Sequence, residues 1–224
     1  AWVRKAFSSL GFLGNSAPAS RSARSSALRS CAIEGWSKRV PIPTDRWNLI
    51  SSNITPLSAA VETVLAGLDP AENLILAKDG FGRFWLPERG YNGLADWDPL
   101  AAYWVDLVSA DTLIFSGNRT VADTPIPLTA GWNSIAFLPS QPVSVDVALA
   151  GIAEDLIIAK NGNGDFYAPE YDYNGIGLMR PGEGYKLNLG RDRELIYRTG
   201  EELQRVGLQE QSASGSEPTG ADMS

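Results

Sequence analysis

Histidine is absent from the 224 residues, and Cys31 is the only cysteine. A Ser-His-Asp or Cys-His-Asp arrangement is therefore excluded, a Cys/His zinc centre has no ligands, and no disulfide can form within the chain. Cys31 lies in a Ser/Arg-rich stretch without a base to generate a thiolate, so it reads as a bystander thiol. Also missing is any run approaching the ~20 consecutive apolar residues of a membrane span. The opening AWVRKAFSSLGFLG has no initiator Met and too short an apolar run for a signal peptide, so the expectation is a piece of a longer protein. Nothing in the composition calls for a cofactor.

The formal charge of −7 is unevenly spread. Residues 1–39 carry Arg4, Lys5, Arg21, Arg24, Arg29, Lys38 and Arg39 against Glu34 alone, a balance of +6 that leaves −13 on the remainder. An acidic body repels a phosphate backbone, so nucleic acid is not an expected partner. The basic segment, rich in Ser and Ala, reads as a solvated linker.

Internal similarity organises what remains. PIPTDRWNLIS from Pro41 resembles PIPLTAGWNSIAF from Pro125, and ENLILAKDGFGRFWLPERGYNGL from Glu72 matches EDLIIAKNGNGDFYAPEYDYNGI from Glu154 without a gap. The offset of 82 persists through Pro99 and Pro181, Tyr103 and Tyr185, then TLIF and ELIY. About half of the positions from Glu72 to Tyr103 are identical, and turn residues recur together with apolar ones.

Each copy has a physical reading. PIP and WNLIS (or WNSIAF) form a hairpin pattern, with prolines suited to an edge strand. Val61, Val64, Leu65 and Leu68 fall at the spacing of an amphipathic helix, with Ser58 or Ser144 available as caps and Gly67 or Gly151 as stops. LILAK and LIIAK are buried strands. DGFG and NGNG follow as turns of type I′, and RFWLPE and DFYAPE return as partner strands. AYWVDLV and GYKLNLG, then TLIF and ELIY, close each copy. The expected fold is mainly β, two tandem copies of a small barrel- or sandwich-like module, each with one short helix. Residues 1–39 form a linker, 40–120 the first copy, 121–200 the second, and 201–224 a polar linker to a following module.

GWN before an apolar strand, the KxGxGxxYxPE hairpin, YN and a PGEGYK strand together resemble a repeat of large bacterial secreted and cell-surface multidomain proteins. Such repeats sit near C-termini beside adhesin-like β domains and, in some, sorting signals. The resemblance covers residues 40–200. The second copy keeps Gly131, Gly162, Gly164, Gly182 and Gly184, whereas the first has Arg46, Leu100 and Ala102 in place of Gly131, Gly182 and Gly184. The resemblance supplies no catalytic residues and implies an extracellular or cell-surface location.

NGNGD, Asn161 to Asp165, offers oxygens at alternate positions as calcium loops do, but DGFGR puts Phe81 and Arg83 where two of them stand, so a plain turn is favoured and no metal is expected. Glu88 and Glu170 occupy equivalent places, and two carboxylates about 5–10 Å apart can hydrolyse a glycoside. Nothing in the sequence brings the two together, and each reads as the end of a strand. Trp47 and Trp132 read as buried anchors. Trp85, Tyr91, Trp97, Trp104, Tyr167, Tyr171 and Tyr173 vary between the copies or fall in loops, and core packing is favoured for them; under the sugar-stacking alternative Trp85, Trp97, Trp104, Tyr167 and Tyr171 are the candidates.

The functional expectation is a non-enzymatic structural or adhesion-type module pair that spaces neighbouring domains of its own polypeptide or contacts a surface protein or glycan. The alternative is a carbohydrate-binding module of a secreted enzyme that uses those aromatics.

Overall fold

In a computed structural model, which describes residues 36–43, 47–94 and 96–198, the chain is a mainly-β protein whose paired strands are all antiparallel. The first half runs β1 (Trp36–Ile42), β2 (Asn48–Ile50), β3 (Ile54–Pro56), α1 (Val61–Val64), β4 (Leu74–Lys78), β5 (Phe84–Leu86), β6 (Tyr91–Asn92), β7 (Tyr103–Leu107) and β8 (Asp111–Arg119). The second half runs β9 (Ile126–Leu128), β10 (Gly131–Ala136), β11 (Val143–Ser144), α2 (Val145–Ala148), β12 (Leu156–Lys160), β13 (Phe166–Ala168), β14 (Tyr173–Asn174), β15 (Leu178–Met179), β16 (Gly184–Leu189) and β17 (Arg193–Leu195). Trp36–Arg39, assigned to the linker by composition, are the first part of β1 and pair with β8. Cys31, Arg46 and the segment 201–224 lie outside the described residues. No helix among the described residues is long and apolar enough to cross a membrane.

Each half is built on a five-stranded sheet, ordered β2-β7-β4-β5-β6 in the first and β10-β16-β12-β13-β14 in the second. The central strands are the apolar runs LILAK and LIIAK. In β4, Leu74 and Ala77 are buried while Leu76 and Lys78 point to the other face, and a bulge at Ile75 turns that side chain out. β12 has the same irregularity at Ile157. The inner face of the first sheet packs on the sheet β1-β8-β3, with Ile50, Ala77, Trp85, Tyr103 and Val105 meeting Val40, Ile42, Leu113 and Phe115. In the second half Ile135, Ala159, Tyr185 and Leu187 share a core with Ile126, Leu128 and Leu195 of the β9–β17 ribbon.

Both prolines of the opening strands are exposed, and among the described residues β1 and β9 each have a strand neighbour on one side only, so the missing N–H breaks no ladder. The pairing register revises the alignment of these strands. Val40 lies opposite Leu113, and Ile126 lies opposite Leu195, 82 residues further on. Pro41 therefore corresponds to Pro127, not Pro125: the shared element is a proline between two buried aliphatics.

Two local expectations change. The helix is a single α turn followed by a 3₁₀ turn, Ala66–Leu68 or Ala150–Ile152, with Gly67 or Gly151 inside it. Val61, Val64, Leu65 and Leu68 are buried as the periodicity requires, but neither serine caps the backbone. Ala60 precedes α1, and the Ser144 hydroxyl donates to the Asp146 carboxylate. The central hairpins are not two-residue type I′ turns. Asp79 N–H bonds Arg83 O at 3.0 Å, which encloses three residues, and the positive φ falls on Gly82 (85°) rather than Gly80. Asn161 and Gly164 (φ 93°) repeat this arrangement.

All described residues fall in one compact unit, because the halves are joined by reciprocal contacts. Ser51 N–H donates to Gly182 O and Ala136 N–H to Leu100 O, both at 2.9 Å, beside bridges Ile50–Glu183 and Ile135–Ala101. The strands β2 and β10, edges of their own sheets, are thereby continued into the opposite half. Ser51 is fully buried there; its hydroxyl donates to Glu183 O and accepts from Phe137 N–H. At the centre Gly184 faces Ala102, its counterpart 82 residues earlier, and a Cβ on Gly184 would stand 2.4 Å from that of Ala102. One member of this pair has to be glycine.

Candidate functional site

The outer faces of the two five-stranded sheets each carry a row of outward aromatic side chains, while Phe81, Tyr171 and Trp36 are exposed elsewhere, on turns and on β1. In the first sheet Lys78 lies opposite Trp104 on β7 and Phe84 on β5, and Leu49 lies opposite Trp104 from the other side. Trp47 shares the face of Leu49, and its ring lies 4.4 Å from the Lys78 ammonium. Tyr91 on β6 completes the row, its ring 5.0 Å from that of Phe84. Across the sheet the order is Trp47, Trp104, Lys78, Phe84, Tyr91.

The second sheet repeats the row with one exchange. Lys160 lies opposite Lys186 on β16 and Phe166 on β13, and Trp132 on β10 lies opposite Asn188. The Lys186 and Lys160 ammoniums lie 5.1 and 5.6 Å from the Trp132 ring, and Phe166 stacks on Tyr173 at 4.5 Å. The order is Trp132, Lys186, Lys160, Phe166, Tyr173, with lysine where the first sheet has Trp104. Trp132, Phe166 and Tyr173 are 46%, 36% and 48% exposed. Contiguous apolar area left outward in this way marks contact surfaces.

Each row ends, at its tryptophan, against the turn of the other half. Asp79–Phe81 and Arg83 of the first half face Trp132 and Ser134 across a cleft of about 180 Å³. Asn161–Asn163 face Trp47 and Leu49 across one of about 320 Å³. These volumes are below or at the bottom of the ~300–1,000 Å³ of small-molecule sites, so the rows are open surfaces and not enclosed pockets. The clefts are narrow because the turns are glycines pressed on the edge strands: a Cβ on Gly80 would meet Ser134 Oγ at 2.5 Å, and one on Gly162 would meet Leu49 at 3.1 Å.

The acidic groups nearby serve the backbone. The Asp79 carboxylate accepts from Phe81 and Arg83 N–H, both at 2.9 Å, and pairs with the Arg83 guanidinium at 2.6 Å. Asp98 accepts from Leu100 N–H at 2.9 Å. In the second turn Asn161 Oδ1 accepts from Asn163 and Asp165 N–H at 3.0 and 2.9 Å, while its amide donates to the Asp165 carboxylate. That accounts for the NGNGD pattern as a side-chain-capped turn. Glu88 and Glu170 sit on the 3₁₀ turns Pro87–Arg89 and Pro169–Tyr171, each outward on its own half. Behind the sheets, Tyr103 and Tyr185 hydroxyls accept from Asp98 and Arg180 N–H at 2.8 and 2.7 Å, and burial raises both phenol pKa values.

The structure divides the aromatics differently from the sequence reading. Trp85 and Trp97 are 7% and 3% exposed, inside the first core, and cannot stack on a ligand. Trp97 lies on Tyr103 with centroids 4.1 Å apart. Tyr167 is half-buried on the inner face opposite Ala159, and Tyr171 is 75% exposed on a turn apart from the row. Of the five, Trp104 alone lies in a row. Trp47 and Trp132, expected as buried anchors, face outward. The signal was available: in WNLI and WNSI the tryptophan stands three residues before a buried isoleucine, and an odd separation in a strand places the two on opposite faces.

Comparison with protein-family models, with curated proteins and with solved structures finds no match to this chain.

Proposed function

We propose that the chain is a non-catalytic, adhesion-type pair of related modules from an extracellular bacterial protein, and that it meets its surface partner through the outer faces of its two five-stranded sheets. The observation that carries this reading is the row of Trp, Lys, Phe and Tyr, set outward in the same order across both sheets. A core has no use for these rings. Their cross-strand contacts contribute a few tenths to about 1 kcal/mol each, while the exposed area remains open to a partner. The reciprocal seam supports the spacing role, since two halves sharing backbone hydrogen bonds hold their faces in a fixed relation. The resemblance of GWN, KxGxGxxYxPE and PGEGYK to repeats of bacterial surface proteins supports the location.

A sugar-binding role is the second reading, with the aromatic set moved to the outer rows. Flat rings beside Asn188 and the lysines suit stacking on pyranose faces combined with hydrogen bonding. The test is a glycan array and affinity gel, run with the wild type and with Trp104→Ala and Trp132→Ala. Retention should be lost in at least one variant while its unfolding midpoint stays near the wild-type value. Retention that survives both substitutions would refute the outer faces as the contact surface.

A further inference from the structure

We infer that the outer face of the second sheet binds an acidic, uronate-bearing polysaccharide, with Lys160 and Lys186 holding its carboxylates and Trp132 and Phe166 flanking its sugar rings. The inference rests on the proposed use of the outer faces and narrows it to one sheet and one class of ligand.

The first observation is the placement of two like charges. Lys160 and Lys186 are directly opposite each other on adjacent strands, an arrangement that destabilises a sheet unless an anion lies between the charges. Neither lysine forms an ion pair among the described residues. Their neighbours on the same face are Trp132, Ser134, Ile158, Phe166 and Asn188, with no carboxylate in the register. Both ammoniums gather at one indole, which keeps two positive charges beside an exposed ring.

The contrast with the first sheet is the second observation. There Trp104 stands at the position of Lys186 and Asp106 at that of Asn188, so the one lysine, Lys78, shares its face with an acid. The second face gains a cation and loses an anion at two matching positions, although the chain as a whole is at −7. Composition pressure runs the other way, which makes a local pair of uncompensated lysines informative.

Third, the chemistry of the face selects the anion. A uronate carries its carboxylate on a ring that also has an apolar face, which matches a central lysine pair flanked by Trp132 on one side and Phe166 on the other. Asn188 adds an amide for hydroxyl groups. The open form of the face suits a chain that passes across it, where a closed pocket would suit a chain end.

The test uses affinity electrophoresis in polygalacturonate and in an unsubstituted neutral β-glucan, with soluble poly-glutamate as competitor. The proteins are the wild type, the double variant Lys160→Gln/Lys186→Gln, Trp132→Ala and, as a charge control on an exposed turn outside both rows, Arg89→Gln, each checked for an unchanged unfolding midpoint. Polygalacturonate should retard the wild type, the double variant should lose at least 10-fold in affinity, Trp132→Ala should weaken binding and Arg89→Gln should leave it unchanged. Retention should fall as salt rises, and poly-glutamate should compete poorly. Equal retention by the neutral glucan that depends on Trp132 but not on the lysines would overturn the acidic ligand and leave the outer-face reading standing. Full competition by poly-glutamate would replace the sugar with an acidic peptide. No retention of the wild type in either gel would overturn the inference.

Discussion

Replacing Trp97 by alanine should cost far more stability than replacing Trp132, the reverse of what the repeated GWN motif suggests. Trp97 is 3% exposed, lies on Tyr103 at 4.1 Å and meets Phe115 at 5.2 Å. Truncating a buried Trp to Ala costs about 3–5 kcal/mol in lost transfer energy and cavity, to which the aromatic contacts add about 0.5–1.5 kcal/mol. One effect opposes this. The indole Nε1 is buried without a hydrogen-bond partner among the described residues, and its removal relieves about 1–3 kcal/mol of desolvation. The expected net loss is about 3 kcal/mol. Trp97→Phe keeps much of the packing and also discards the orphaned donor, so it should be much milder, about 1 kcal/mol. Trp132 is 46% exposed, and loss of its lysine contacts should cost about 1 kcal/mol. Urea titrations of the three variants with a common m-value separate these outcomes. A Trp132→Ala loss equal to or larger than that of Trp97→Ala would refute the assignment of the two rings.

Two further outcomes follow from single groups. Burial lowers the Lys38 pKa from 10.5 to about 8, and among the described residues its ammonium reaches only Asn53 Oδ1, at 3.4 Å. The folded protein then binds fewer protons than the unfolded one between those values, so stability should rise with pH from about 8 to about 10.5. Lys38→Met should accordingly stabilise the protein at pH 7 and lose that advantage above pH 10, as read from urea midpoints at the two pH values. Calcium should leave the melting temperature unchanged relative to chelator, because Asn161 Oδ1 is already occupied by two backbone N–H groups. A rise of several degrees would instead make the second turn a metal loop.

The strands could be read further from the sequence than the site could, but their order within each sheet could not. LILAK and LIIAK announce central strands because five apolar-rich residues end at a lysine and a capped turn, and both the length and the turn are local properties. Periodicity overstates the helix because it records which side chains are buried, not whether the backbone remains α-helical through Ala66 and Gly67. The hairpin type differs for a related reason: Asp79 and Asn161 cap three-residue loops, which leaves the positive φ to Gly82 and Gly164. Trp47 and Trp132 face outward because strand parity, not hydrophobicity, decides their side. Trp97 is buried by a loop whose path depends on Ala59, whose carbonyl accepts the Trp97 N–H at 2.6 Å, and no local pattern encodes that contact. The seam is a tertiary property too. Gly184 opposite Ala102 is visible in the alignment as a glycine that the first copy lacks, but its reason appears only once the two halves meet.

Differential scanning calorimetry of the full chain tests the central claim most directly: that the two halves, each with its own core, form one body that holds its two aromatic faces in a fixed relation. The reciprocal bonds Ser51–Gly182 and Ala136–Leu100, with Ser51 buried between the halves, predict a single endotherm whose calorimetric and van't Hoff enthalpies agree. Two resolved transitions, one for each half, would contradict it.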